Sequence, residues 1–402
     1  MRSDTTTGQI HHSYRPPAGF AAPQPGVYKA STVIFPNVAA MRSTEWKDKT
    51  GYTYGLHGTP TSYLLEERLC TLEGGKHCVL APSGLAAISM ASFAMLKAGD
   101  EVLIPDNAYT PNKVLADGEL KDCGISHQFY DAMNPQDLAN KINPKTRLVW
   151  VEAAGSITLE FPDVVELVRI CKTRGVPVAL DNTWGAGLAF KPFDLLPGRG
   201  ETLAVDISVH ALTKYPSGGG DVLMGSVVAV DDTIALRIKN THMRFGLGVG
   251  GNDVELVLRS LPSMALRYEA HDRNTRTLAQ WLQTRPEIAQ VMHPALPGSP
   301  GHAHWKALCG DGLGKAAGLL SVMFKPHNTQ AQVDGFCDAL KYFKLGYSWG
   351  GPMSLVVPYN LAAIRPSWPA HIAPGRIVRF SIGLEDVADL QDDLEQALGS
   401  LG

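Results

Sequence analysis

The sequence is poor in the residues that would mark a stapled, highly charged or metal-bound chain. Its 402 residues include six cysteines, at 70, 78, 123, 171, 309 and 337. No two are spaced as CxxC, and their density is far below that of a disulfide scaffold. They read as reduced thiols of a cytosolic protein. Thirteen histidines include no HExxH. His302 and His304 have no cysteine or acidic cluster beside them, so no metal site is expected. Charged residues make up 19%, with 36 basic and 39 acidic for a formal net charge of -3. No dense Lys/Arg stripe offsets that balance, which argues against nucleic acid as a partner. Small molecules and other protein chains are the expected partners.

Long apolar runs are also scarce. The opening MRSDTTTGQIHHSYRPP has no apolar core, so no secretory signal is read there. Cys78–Leu96 carries no formal charge, but Pro82-Ser83-Gly84 interrupts it and Ser89 and Ser92 follow. A strand, a turn and a buried helix fit it better than a membrane span. What the chain does have is 45% apolar residues, enough for a large core. Its length sets a prior of two to three domains.

Residues 1–58 are rich in Thr, Pro, Gly and His and show little periodicity. They read as an extended arm that packs, through Tyr14, Tyr28, Trp46, Tyr52 and Tyr54, on something such as another subunit. Thr59-Pro60 starts a helix with Leu65, Leu69 and Leu72 on one side, closed by Gly74-Gly75. Short apolar or β-branched runs follow at Cys78–Ala81, Glu101–Ile104, Arg147–Ala153, Val176–Leu180, Ala204–Val209 and Ser226–Val230. Helical segments lie between them, such as Val164, Leu167, Val168 and Cys171 closed by Gly175. This alternation predicts an α/β fold with a mostly parallel sheet covered on both faces. Near residue 250 the pattern changes. Asn252–Glu255 reads as a helix start, and Pro262 breaks or kinks that helix. Ile377–Ile382 reads as a strand, and Val387, Leu390, Leu394 and Leu398 share a side of a final helix. The expected division is an arm (1–58), an α/β domain (59–260) and a smaller α+β domain (261–402).

Gly246, Gly248 and Gly251 fit GxGxxG, but they follow the charged stretch Arg237–Phe245 instead of a strand, so no dinucleotide site is read there. Three other places carry more chemistry. Ala81–Leu85 joins a strand to a helix, where small residues let amides face an anion such as a phosphate. Alone it reads more readily as an ordinary strand-to-helix turn. Asp181 ends the apolar run Val178–Leu180, and a carboxylate there can keep a cationic ring nitrogen protonated. Alone it reads equally as an acid capping a loop. Lys214, in His210–Tyr215, follows another apolar strand and precedes Ser217–Asp221. With its charge suppressed it can bond an aldehyde, and alone it reads equally as a solvated lysine. Together the three supply what pyridoxal phosphate needs: a phosphate cradle, an acid for the ring nitrogen and an amine for the aldehyde.

From about Tyr52 to Leu384 the sequence resembles the pyridoxal-phosphate-dependent enzymes of cysteine and methionine metabolism. The resemblance rests on NAYTP (Asn107–Pro111), LDNTW (Leu180–Trp184), TKY (Thr213–Tyr215), HPALPGSPGH (His293–His302), YSWGG (Tyr347–Gly351) and IGLED (Ile382–Asp386). It implies the large α/β fold of the aspartate-aminotransferase type (fold type I). It also implies a catalytic set of Lys214 bonded to the cofactor, Asp181 on the ring nitrogen and Tyr109 stacked on the ring. The amides of Gly84 and Leu85 and the Thr213 hydroxyl would hold the phosphate. Arg379, with Ser348 and Trp349, would bind the substrate α-carboxylate. Tyr54 would reach the cofactor phosphate and substrate of a neighbouring subunit, within a cytoplasmic homo-oligomer, a dimer or a tetramer built from dimers. YSWGG points to the β-lyases of the family, which cleave cystathionine to homocysteine, pyruvate and ammonia one step before methionine. The γ-lyases and γ-synthases share the cofactor site and stay open, as does a non-catalytic scaffold. One departure stands out: the family places an arginine two positions after the tyrosine matching Tyr54, and here Leu56 occupies it, followed by His57. The family's Gly-His-Ser-Asp after the lysine is also altered, to Gly218-Gly219-Gly220-Asp221.

Overall fold

The computed structural model describes residues 5–12, 14, 17–365 and 367–401. Seven strands form the first sheet: β1 (His77–Ala81), β2 (Glu101–Pro105), β3 (Ser126–Tyr130), β4 (Thr146–Glu152), β5 (Val178–Asp181), β6 (Ile207–Ala211) and β7 (Gly225–Ala229). Their order is β1-β7-β6-β5-β4-β2-β3. The ladders joining β2 to β6 are parallel, and β7 runs antiparallel to both neighbours. The mostly parallel sheet expected from the alternation is thus present.

Its strands are apolar on both sides because both faces are covered. Val149, Val151, Val178 and Leu180 belong to one core, and Leu148, Trp150, Ala179, Ile207 and Val209 to the other. Each fully buried Val, Leu or Ile among these stabilises the fold by about 1.5–3 kcal/mol relative to exposure. Helix Val164–Thr173 buries Val164, Leu167, Val168 and Cys171 against the first core. Helix Pro60–Glu73 starts with a reciprocal Thr59–Ser62 capping box and ends on Gly74 at φ 82°, a conformation glycine adopts without strain. The uncharged segment from Cys78 resolves into β1, the turn and helix Gly84–Met95. Among the described residues no helix is long and apolar enough to cross a membrane.

Two strand readings need correction. The run beginning at Ala204 becomes a strand only at Ile207, because the Val205 amide is bonded to Pro192 O outside the sheet. Strand β3 was not foreseen. It lies at the sheet edge beside β2, and its SHQFY sequence lacks the apolar run of a buried strand.

The second sheet contains β8 (Ile288–Met292), β9 (Leu319–Phe324), β10 (Lys344–Leu345), β11 (Leu355–Tyr359) and β12 (Arg376–Ser381), ordered β10-β11-β12-β9-β8. Leu320, Phe380, Leu390, Leu394 and Leu398 share its core. Pro262 kinks the chain through a 3₁₀ turn between helices Gly251–Ser260 and Met264–Leu282. The longer helix serves both cores: Met264 and Tyr268 pack under the first sheet, Leu278 and Leu282 under the second.

The arm is less featureless than expected, with short helices at Thr5–Ile10 and Val38–Ser43. The expectation of an arm also covers residues 1–4, 13, 15 and 16, which lie outside the described residues. Part of it is tied to its own chain. The Lys239 Nζ donates to Trp46 O at 2.8 Å and Lys47 O at 2.6 Å, and Lys49 pairs with Glu66. Other arm residues stay uncovered, with Ile34 90% exposed and Val38, Met41 and Tyr54 about half exposed.

Candidate active site

The carboxyl ends of β2, β4, β5 and β6 bring the candidate residues together, on the side where open α/β sheets bind ligands. Asp181 is the last residue of β5 and is buried. Its Oδ1 accepts from the Thr183 amide at 3.0 Å and from the Thr183 hydroxyl at 2.6 Å. That hydroxyl in turn accepts from the Ala211 amide at 3.0 Å, which ties the loop after β5 to the end of β6. The other carboxylate oxygen of Asp181 has no partner among the described residues. Burial raises the Asp181 pKa, and the two Thr183 hydrogen bonds oppose the shift.

Lys214 follows β6 by three residues. Its Nζ donates to Ser348 Oγ at 2.7 Å and lies 5.2 Å from the centre of the Trp349 ring. Burial, with the nearby Arg379 charge, lowers the amine to about 8 against the opposing pull of Asp181. An amine held there is partly neutral near pH 7–8, as a nucleophile or proton acceptor requires. Ser348 holds this position with φ 94°, a strained conformation for a residue with a side chain.

Arg379 lies in the middle of β12, only 6% exposed. Its Nη1 donates to Ser156 O at 3.0 Å, and its guanidinium sits 5.2 Å from the Tyr359 ring centre. Tyr109 follows β2, and its amide donates to Glu152 Oε2 at 2.8 Å. Glu152 escaped the sequence reading, although it carries the signal that singled out Asp181: an acid at the carboxyl end of an apolar strand. It pairs with Asp181 across the β4–β5 ladder, and burial together with that neighbouring acid pushes its carboxyl well up.

The predicted phosphate cradle lies at the start of helix Gly84–Met95. Ser83 caps it by accepting from the Ala86 amide at 3.0 Å, which leaves the first-turn amides of Gly84 and Leu85 without helical partners. A Cβ on Gly84 would come 2.6 Å from Ala211 Cβ, so the helix end approaches β6 as closely as only glycine permits. The Thr213 hydroxyl stands between Met224 N at 3.2 Å and Met224 O at 3.3 Å. An amine with lowered pKa, an acid with an uncommitted oxygen and a close-packed run of free amides fit a phosphorylated aldehyde with a basic ring.

Tyr54 is not part of this cluster. It is 48% exposed, its ring meets His57 at 6.0 Å, and its backbone bridges Thr32. Leu56 and His57 line a separate cavity of about 510 Å³ with Lys239 and His242. The His57 ring stacks on Trp46 at 4.1 Å, its Nδ1 is 2.8 Å from Thr53 Oγ1, and burial and Lys239 lower its pKa.

Comparison with known proteins agrees with this geometry. Residues 6–399 match the family described as Cys/Met metabolism PLP-dependent enzyme. Cystathionine beta-lyase of Bordetella avium is 38% identical over 391 residues, 96% of this chain and 94% of that protein. L-alanine/L-glutamate racemase of Wolbachia pipientis wMel is 32% identical over 387 residues, 94% of this chain and 92% of that protein. The crystal structure of metB from Corynebacterium glutamicum aligns with a TM-score of 0.87 at 27% identity, covering 100% of this chain and 99% of that one. The chain therefore belongs to the Cys/Met-metabolism PLP-dependent enzymes, has their type I fold, and uses pyridoxal phosphate as its cofactor.

Proposed function

We propose that the protein is a carbon–sulfur β-lyase that cleaves L-cystathionine, and related cysteine S-conjugates, by α,β-elimination. The observation that carries the reading is the contact of the Lys214 amine with both Ser348 and Trp349, the pair embedded in YSWGG. Water and cystathionine give homocysteine, pyruvate and ammonia. Bound pyridoxal phosphate supplies an electron sink that makes the substrate's Cα proton acidic. Arg379, already aimed at a carbonyl oxygen, takes the α-carboxylate and fixes the Cα–H bond relative to Lys214. The Lys214 amine, partly neutral near pH 8, removes that proton. Asp181 would keep a proton on the ring nitrogen through its uncommitted oxygen. Tyr109 would cover the ring. The Gly84 and Leu85 amides and the Thr213 hydroxyl would hold the phosphate.

The arm belongs to the same reading. Tyr54 serves the site of a neighbouring subunit, which suits its exposure and its separation from Lys214. The assembly is then a homo-oligomer of dimers with shared sites, and 59–260 and 261–402 are its two domains. Incubation with L-cystathionine tests the reaction. Pyruvate with homocysteine supports β-elimination. 2-Oxobutyrate with cysteine would identify a γ-lyase, and a racemised amino acid without keto acid would identify a racemase.

A further inference from the structure

Arg365 comes from the C-terminal part of the chain, four residues beyond Leu361, and lies between two loops of the first sheet. Its side chain is 4% exposed. Nη2 donates to Asp106 Oδ2 at 2.9 Å. Nη1 donates to Glu160 Oε1 at 2.7 Å and to Thr158 Oγ1 at 3.3 Å. Asp106 begins the loop that leads from β2 to Tyr109. Thr158 and Glu160 end the loop that leads from β4 through Ser156, whose carbonyl accepts from Arg379. A single guanidinium thus forks between the loop carrying the ring-stacking tyrosine and the loop touching the carboxylate-binding arginine.

The neighbouring contacts have the same direction. The Lys113 Nζ donates to Asp106 O at 3.0 Å and to Ile364 O at 2.6 Å, bridging the first loop to the residue before Arg365. Ser321 Oγ on β9 donates to Ile157 O at 2.6 Å, and Ile157 packs among Met292, Met323 and Ile377. Burial opposes ionisation of Glu160, but His371 at 3.8 Å, Arg365 and Thr158 outweigh it and hold the carboxyl down at about 2. The fork therefore joins an ionised Glu160 and the Asp106 carboxyl, whose pKa burial raises against the opposing pull of Arg365, to one planar cation, the geometry that arginine supports and lysine does not.

We propose that Arg365 is a positioning residue that locks the Asp106–Tyr109 loop and the Ser156–Glu160 loop to the segment joining β11 to β12, and so sets the spacing between the cofactor-stacking ring and Arg379. The inference rests on the roles given above to Tyr109 and Arg379. It assigns Arg365 no contact with substrate or cofactor.

Hydrogen exchange of the holoenzyme tests the lock without requiring turnover. In Arg365→Met, amides in both 106–113 and 156–160 should exchange at least tenfold faster than in the parent, while helix Pro60–Glu73 keeps its rate. Should that variant fail to fold, Arg365→Lys carries the test. One ammonium cannot fork between both acids, so at least one of the two loops should be released by the same factor. In parallel, the Michaelis constant for the amino-acid substrate should rise at least fivefold with kcat changed less than threefold. Unaltered exchange in both loops, or a lower melting temperature with an unchanged Michaelis constant, would overturn the proposal. A protein that turns over a different amino acid would leave the exchange result standing, so the two readings fail separately.

Discussion

The Lys214 Nζ and the Ser348 Oγ stand 2.7 Å apart, across the seam between the loop after β6 and the C-terminal part of the chain. Ser348 reaches this position with φ 94°, where a side chain costs roughly 1–2 kcal/mol. Ser348→Ala and Ser348→Gly both remove the acceptor from the amine, but only glycine relieves the backbone. Both variants should lose turnover to a similar degree, and the glycine variant should melt at the higher temperature. Equal melting temperatures would show that the conformation stores no strain.

The amine's environment predicts a pH dependence for cofactor uptake by the cofactor-free protein. Only a neutral amine attacks an aldehyde. With Lys214 lowered to about 8, the uptake rate should rise with pH and reach half its maximum near that value. Asp181 favours the ammonium, so Asp181→Asn should move the midpoint down. Arg379 disfavours it, so Arg379→Ala should move the midpoint up. Rapid mixing with pyridoxal phosphate, followed by absorbance, measures all three. A midpoint near the ordinary lysine value of 10.5 would contradict the burial argument.

Shared sites predict complementation. A Lys214→Ala chain and a Tyr54→Ala chain should each be inactive or nearly so. Mixed under conditions that exchange subunits, they should regain activity, because a hybrid dimer keeps one site with both residues. Proven exchange without recovery would remove Tyr54 from the site.

Leu56 predicts weak retention of the cofactor. A charge-assisted arginine–phosphate contact contributes roughly 1.5–3 kcal/mol, and a His57 lowered by burial and held by Trp46 and Thr53 is expected to replace it only in part. Leu56→Arg should slow cofactor loss and raise the preference for cystathionine over smaller cysteine conjugates. Cofactor dissociation and the ratio of kcat/KM values for cystathionine and cystine measure this. No change in either would mean that residue 56 does not face a neighbour's cofactor.

The candidate residues at the carboxyl end of the sheet were legible where they lie at or just beyond the end of an apolar strand, as Asp181 and Lys214 do. Val178–Leu180 announces Asp181, and the run ending near Val209 announces Lys214. Gly84 was legible from a strand-to-helix turn made of small residues. The missed features are of three kinds. Strand β3 is an edge strand whose polar residues give no periodic signal. Strand β9, LLSVMF, is a plain apolar run that resembles a buried helix segment as much as a strand. Arg365 and Glu160 carry no local signal, and Asp106 carries only that of an acid following an apolar strand, which names no partner. Arg365 lies more than 200 residues from either acid along the chain, and only the packing of the segment between β11 and β12 against the first sheet's loops brings it to them.

The central claim is that Lys214 is the amine that bonds the cofactor and moves the Cα proton. Lys239 and Lys113 also have pKa values lowered by burial, so a depressed amine alone does not single out Lys214. Its neighbours do, since the charges of Asp181 and Arg379 both act on it. Borohydride reduction of the yellow holoenzyme, followed by peptide mass mapping, measures the claim directly. The pyridoxyl group should be found on the peptide containing Lys214, and Lys214→Ala should lose roughly 100- to 10,000-fold or more in turnover. Label on Lys113 or Lys239, or a protein that takes up no pyridoxal phosphate, would contradict it.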